Sequence, residues 1–202
     1  MTPTEPERTP PRRYQILVKE EKGFGSKKGK KNWDWYEQDF FSKIIKKYKN
    51  IKRFDYKAVK FGDFVFIGAY GGTFPGHVKS KAYKKYRKKL DKLFRRYRKE
   101  NKERKVVFVS HNVPYNTRLD KITSKEADEA VRGKHYGSKL IRRVIERYQP
   151  VLHLGGHIHE GKGKDKIGKT ICVNPGAVHD GEAAIVKLPE NPRGKIKVKF
   201  IK

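Results

Sequence analysis

The run KVVFVS (105–110) places four apolar residues in a row, Val106 to Val109, with no polar alternation. A strand of that kind must be covered on both faces, which is the habit of strands inside a parallel sheet. The stretch is far too short to cross a membrane, and no other run in the chain approaches that length. Such a strand needs neighbours. VLHLG (151–155), KTICVN (169–174), AAIVKL (183–188) and KIKVKFI (195–201) supply four more, and YQILV (14–18) reads as another. YKAVKFGDFVFIGA (56–69) reads as two strands with a turn at Gly62 and Asp63. Helical periodicity appears in three places. From Asp34 to Tyr48 it is carried by Tyr36, Phe40, Phe41, Ile44, Ile45 and Tyr48. Over 81–100 it is carried by Tyr83, Tyr86, Leu90, Leu93, Phe94 and Tyr97. After Ser138, a good N-cap, it is carried by Leu140, Ile141, Val144, Ile145 and Tyr148, and Pro150 stops that helix. Mixed strands and helices around a central sheet predict an α/β (α+β) class. The N-terminal MTPTEPERTPPRR lacks the apolar stretch of a secretory signal. Residues 1–13 are therefore expected to be a flexible Pro-rich tail, and 14–202 a single domain.

Charge is the other constraint. Among 202 residues, 51 are Lys or Arg and 22 are Asp or Glu, a formal net charge of +29. Thermophile chains enrich Glu alongside Lys, and here the acids lag. Such a balance favours a polyanionic partner, with RNA foremost. Residues 79–105 hold 15 Lys or Arg against 3 Asp or Glu. The apolar stripe buries one face of this helix, so the exposed face is cationic. The candidate phosphate contacts are Lys84, Lys85, Arg87, Lys88, Arg95, Arg96 and Arg98, with Lys46 and Lys47 upstream. A basic loop, SKKGKK (26–31), adds to them. Of its positions 26, 27, 29 and 30, Lys27 and Lys30 carry charge, and Ser26 and Gly29 do not. Tyr83, Tyr86 and Tyr97 could stack on bases, although their spacing fits core packing better. The single Cys172 lies in an apolar run and reads as a buried thiol, in keeping with a reducing, cytoplasmic setting.

Two loops follow strands of the buried kind. HNVPYNTRLDKITS (111–124) follows KVVFVS, and GGHIHE (155–160) follows VLHL. Functional groups of open α/β sheets gather at the carboxyl ends of the strands. In extended chain, His157 and His159 face one way and Ile158 the other. Gly155 and Gly156 permit a turn and close approach. His111, at the end of a neighbouring strand, would aim at the same place. Three imidazoles in this arrangement suit Zn, Mn, Fe or Ni. His153 reads as a core or sheet-face residue, and His77, His135 and His179 as loop residues.

These residues resemble the calcineurin-like metallophosphoesterases, of the archaeal small-domain type. The likeness covers roughly residues 56–188. It is carried by S-H-x-x-P (Ser110 to Pro114), G-H-x-H (Gly156 to His159) and N-P-G-A (Asn174 to Ala177), which stand in the family's order. The resemblance implies a four-layer αββα sandwich and two metal ions that activate water against a phosphoester. It assigns His111 and His157 to the second metal and His159 to the first. KNWDW (31–35) stands where the family has Gly-Asn-His-Asp, so Asn32 would be an amide ligand and Trp33 replaces a proton-transferring His. The family's opening Asp-x-His and its Gly-Asp element have no clear counterpart, which makes the expected sandwich a truncated one. The first metal then keeps His159 alone, and the second an uncharged Asn-His-His set able to hold one divalent ion (Mn, Zn or Fe). The expectation is a basic RNA- or ribosome-associated protein with little or no hydrolysis. The alternative is a metal-dependent phosphodiesterase, either acting alone or completed by a second chain that supplies the missing motifs.

Overall fold

The computed structural model describes residues 47–48, 50–51, 53–69, 78–190 and 194–201. The chain divides into two units, Met1–Arg53 and Phe54–Lys202, and nearly all the described residues belong to the second. YQILV, most of the 34–48 segment, Asn32, Lys27, Lys30, Lys46 and His77 lie outside the described residues. Lys47 is exposed and lies in a turn.

The elements of the second unit are β1 (Ala58–Phe61), β2 (Phe64–Gly68), α1 (Lys81–Arg96), α2 (Arg98–Lys102), β3 (Val106–Asn112), α3 (Lys139–Tyr148), β4 (Leu152–Gly156), β5 (Gly163–Ile167), β6 (Thr170–Asn174), β7 (Ala183–Lys187) and β8 (Lys197–Ile201). Six strands form one sheet in the order β1-β2-β3-β4-β6-β5, and β7 pairs with β8 in a second sheet. Within the large sheet β2, β3, β4 and β6 run parallel. The edge strands β1 and β5 are antiparallel to their neighbours.

The uniformly apolar strands are central, because both faces of this sheet are covered. On one face Val65, Ile67, Val106, Phe108 and Cys172 pack with Leu90 and Phe94 of α1 and Leu140, Ile141, Val144 and Ile145 of α3. On the other face Val107, Leu152 and Val173 meet Ala184, Val186, Val198 and Phe200 of the small sheet. The described residues thus build three layers, helix on sheet on sheet, of the mixed α/β class expected. Fully burying one Leu or Phe is worth roughly 1.5–3 kcal/mol, so these clusters are the main source of cohesion.

Helix starts follow their caps. The Ser138 hydroxyl accepts from the Ile141 N–H at 3.3 Å, and the Ser80 hydroxyl accepts from Tyr83 N–H at 3.1 Å. The helix expected over 81–100 is broken at Tyr97, whose ψ of 34° separates α1 from the short α2. Strand β5 has no counterpart in the expectation. Its sequence, GKDKI, is polar because an antiparallel edge strand leaves alternate residues in solvent. Cys172 is buried, and burial pushes its thiol up to about 12. No described helix is long and apolar enough to cross a membrane.

Candidate metal centre at the strand ends

The carboxyl ends of β3, β4 and β6 lie side by side. Asn112 pairs with Gly156, and Leu154 with Val173. Between Val109 and Asn112, β3 carries one residue more than β4 opposite, a bulge. Bulges re-aim side chains, and this one contains His111. Asn112 and Ser110 are buried on either side of it, while His111 is exposed.

His111 Nε2 lies 2.9 Å from His157 Nδ1, with the rings 4.8 Å apart. One of these nitrogens can hold the shared proton and donate it to the other, so the two imidazoles meet ring nitrogen to ring nitrogen at hydrogen-bond distance. His157 reaches that point from a left-handed backbone, φ +77°, which costs a non-glycine residue of order 1 kcal/mol or more. Burial, and then the neighbouring His111 and His159, push its pKa below the ordinary histidine value. It therefore stays neutral at pH 7, the form that binds metal. Ile158 next to it is buried in the core, and His159 is again exposed.

His159 turns to a different partner. Its ring stands 4.9 Å from that of His179, and His179 Nε2 lies 3.5 Å from Asp180 Oδ1. One ligand atom from each of the three residues falls within 4.8 Å of the others. His179 and Asp180 occupy a 3-10 turn (Val178–Asp180) just beyond β6. Sequence reasoning left His179 as a surface loop residue. The signal that could have found it is its place after a third strand of the buried type.

The residues beneath the site are buried and hydrogen-bonded. Ser110 Oγ donates to Asn112 O at 2.7 Å, so at 2.8 Å it must accept from His153 Nε2. His153 is fully buried, as expected of a core residue, and its pKa is pushed down to about 3. At Gly155 a Cβ would lie 2.9 Å from Asn112 O, and at Gly161 one would lie 2.0 Å from Leu119 O. Neither position has room for a side chain. Glu160 fixes the far side, accepting from the N–H groups of Thr123 and Ser124 at 2.5 and 3.1 Å. The loop after His111 is organised by Asp120, which is wholly buried and accepts from Asn116 N–H, Thr117 N–H, Gly137 N–H and His135 Nδ1.

The basic face lies elsewhere. The exposed residues of α1 are Lys81, Lys84, Lys85, Lys88, Lys89, Lys92, Arg95 and Arg96, all of them cationic. Arg87 is half-buried and Arg98 is exposed on α2. The one acidic residue of α1, Asp91, is buried and taken by Tyr148 Oη at 2.7 Å. Tyr83 is in the core, and Tyr86 and Tyr97 pack against it.

A largely parallel sheet with imidazoles at adjacent strand ends defines an α/β domain with candidate metal ligands at its carboxyl edge. The pattern of the metallophosphoesterases of the calcineurin superfamily matches residues 32–199, and the chain belongs to that family. The uncharacterized protein MJ1162 of Methanocaldococcus jannaschii is 42% identical over 74 residues, which are 36% of this chain and 31% of that protein. A solved crystal structure superposes with a TM-score of 0.56 and 23% identity, over 80% of this chain and 58% of the other. The purple acid phosphatase PPD1 from seeds of yellow lupin (Lupinus luteus) aligns at a TM-score of 0.38 and 15% identity, over 66% of this chain and 24% of that one. The chain thus spans under a third of the curated relative it matches.

Proposed function

We propose that this domain is a metal-dependent phosphoesterase. The observation that carries the reading is the convergence of His111 Nε2 and His157 Nδ1 at 2.9 Å on two adjacent parallel strand ends. The donor set fits a first-row divalent ion, since metal–nitrogen bonds of about 2.1 Å need only a slight widening of that gap. His111 and His157 would hold the ion, and Asn32 is the further candidate the sequence offers. A bound ion of this kind lowers the pKa of a water ligand and offsets negative charge on a phosphoryl oxygen. The protein's own part is to keep His157 neutral and both imidazoles in place, which the β3 bulge, the Ser110–His153 floor and the His157 backbone support. From sequence alone the scarcity of carboxylates favours slow turnover. Hydrolysis of bis-p-nitrophenyl phosphate by the full chain with Mn or Zn, lost in His157→Ala, is the expected result. No turnover above the metal blank, with no metal retained after dialysis, would refute it.

A second reading has its own observation. All eight exposed residues of α1 are Lys or Arg, and like charges at helical spacing repel unless a partner supplies counter-charge. This supports RNA binding, on the ribosome or elsewhere, with little or no hydrolysis. RNA that co-purifies and leaves at raised salt, from a protein without turnover, would favour this reading over the first.

A further inference from the structure

We infer that His159, His179 and Asp180 form a second divalent-cation site, beside the His111–His157 pair and built from the loops after β4 and β6. The inference rests on the metal-dependent reading above and names ligands for the half of the centre where sequence offers His159 alone.

Three observations carry it. The first is placement. Ligand atoms of the three residues lie within 4.8 Å of one another, with the His159 and His179 rings 4.9 Å apart. Bonds of about 2.0–2.2 Å to one ion bring donors to within roughly 3–4 Å of each other, so small rotations of these exposed side chains suffice.

The second is chemistry. Two imidazoles and one carboxylate are a donor set for Zn, Mn or Fe(II), and three protein ligands leave open positions for water or substrate. Asp180 also supplies the negative charge that the His111–His157 pair lacks. In a chain of net charge +29 an anionic donor matters, because the surrounding field repels a dication.

The third is backbone order. The Asp180 N–H donates to Ala177 O at 3.0 Å, the Gly181 N–H to Val178 O at 3.0 Å and the Glu182 N–H to Ala177 O at 3.1 Å. Gly181 takes the left-handed conformation, φ +73°, that lets the turn close. The turn bearing His159 is closed by Gly161 N–H to Ile158 O at 3.1 Å. Buried Asn174 ties the two turns together by donating from Nδ2 to Ile158 O at 2.7 Å and accepting from Gly176 N–H at 3.1 Å. The ligands therefore project from two turns that are held to the same strand end.

The test is cobalt(II) binding to the full chain, followed by calorimetry and by the visible absorption of the bound ion. Wild type is compared with His111→Ala and with the double variant His179→Ala/Asp180→Asn. Thermal melting in excess chelator confirms that each variant is folded. The expected result is two ions for wild type and one for each variant, with different spectra for the two singly loaded proteins. If the double variant matches wild type in stoichiometry and affinity, the turn holds only an ion pair and the inference fails, while the function proposed above stands. If wild type binds one ion that only His111→Ala abolishes, the result is the same. One ion abolished only by the double variant upholds the inference and refutes the His111–His157 reading. No binding at millimolar cobalt overturns both.

Discussion

The side-chain amide of Asn174, at the end of β6, donates to the main-chain carbonyl of Ile158 at 2.7 Å, between the two histidines of G-H-x-H. Asn174 is completely buried. Asn174→Ala would leave that carbonyl with the Gly161 N–H alone and would strip the Gly176 N–H of its Asn174 acceptor. An orphaned buried group costs about 1–3 kcal/mol. Urea denaturation should show a loss of that size, and metal affinity should fall at least severalfold because the strand-end turns separate. An unchanged unfolding midpoint would show that this bond holds nothing in place.

Asp120 offers a larger effect at a residue outside the candidate metal ligands. Its carboxylate accepts from three main-chain N–H groups and from His135 at 2.8–3.0 Å. Asp120→Ala leaves these donors without their acceptor, the Thr117 N–H in the interior and the others partly buried. A loss of about 3 kcal/mol or more is expected by chemical denaturation. The loop following His111 should also become susceptible to proteolysis under native conditions. A variant as stable and as protease-resistant as wild type would contradict this role.

The pH dependence follows from His153. Burial holds its imidazole neutral, with the pKa pushed down to about 3. In the unfolded chain a histidine takes a proton near pH 6.5. The stabilisation is therefore complete above that pH and is lost progressively as pH falls from about 6.5 toward 3. Inside that window the slope from one group is about 1.4 kcal/mol per pH unit. Urea midpoints of chelator-treated protein at pH 7.5, 6 and 5 should fall more steeply in wild type than in His153→Gln. Parallel curves would mean that His153 becomes charged in the folded state.

His157 separates stability from function. Its φ of +77° suits glycine better than histidine. His157→Gly should be no less stable than wild type, and up to about 1 kcal/mol more stable from relief of strain. It should nevertheless lose its share of bound metal. A marked loss of stability would place His157 among the structural residues.

For the basic helix, Lys84→Glu/Lys88→Glu/Lys92→Glu should weaken binding of a poly-uridine RNA at least tenfold and flatten its dependence on salt. For every phosphate that the protein no longer neutralises, the slope of log K against log salt falls by roughly 0.7 on a single strand. Folding should be unaffected, since these side chains are exposed. Equal affinity and slope in the variant would leave the charge without an RNA role.

The sheet was legible in the sequence to the extent that burial shapes composition. VVFV, VLHL and TICV stand out because a strand covered on both faces is apolar along nearly its whole length, with only the buried His153 and Thr170 breaking the run. β5 was not legible, because GKDKI at an edge shows solvent-facing lysines and one buried isoleucine. The Tyr97 break was hidden as well, since Tyr97 still falls on the apolar stripe of α1 and packs against the core. At the site, His111, His157 and His159 were visible from strand-end position and from i, i+2 spacing. His179 and Asp180 were not, for a solitary histidine on a loop has no local pattern and acquires one only when β6 pairs with β4. Asp120 was silent for a related reason. Its donors come from residues 116 to 137, and nothing in the local sequence announces that they meet.

The strand order β3-β4-β6 means that no contiguous peptide of this chain contains the centre. Its imidazoles arrive from positions 111, 157, 159 and 179, and the sheet must be complete before any two of them from different strands are neighbours. If the proposed centre binds its ion, uptake would be a readout of the folded population, and the two quantities would be thermodynamically one. An ion at a hundred times its dissociation constant would add about 2.7 kcal/mol to the folded state. In a cell, metal supply and the lifetime of this protein would rise and fall together.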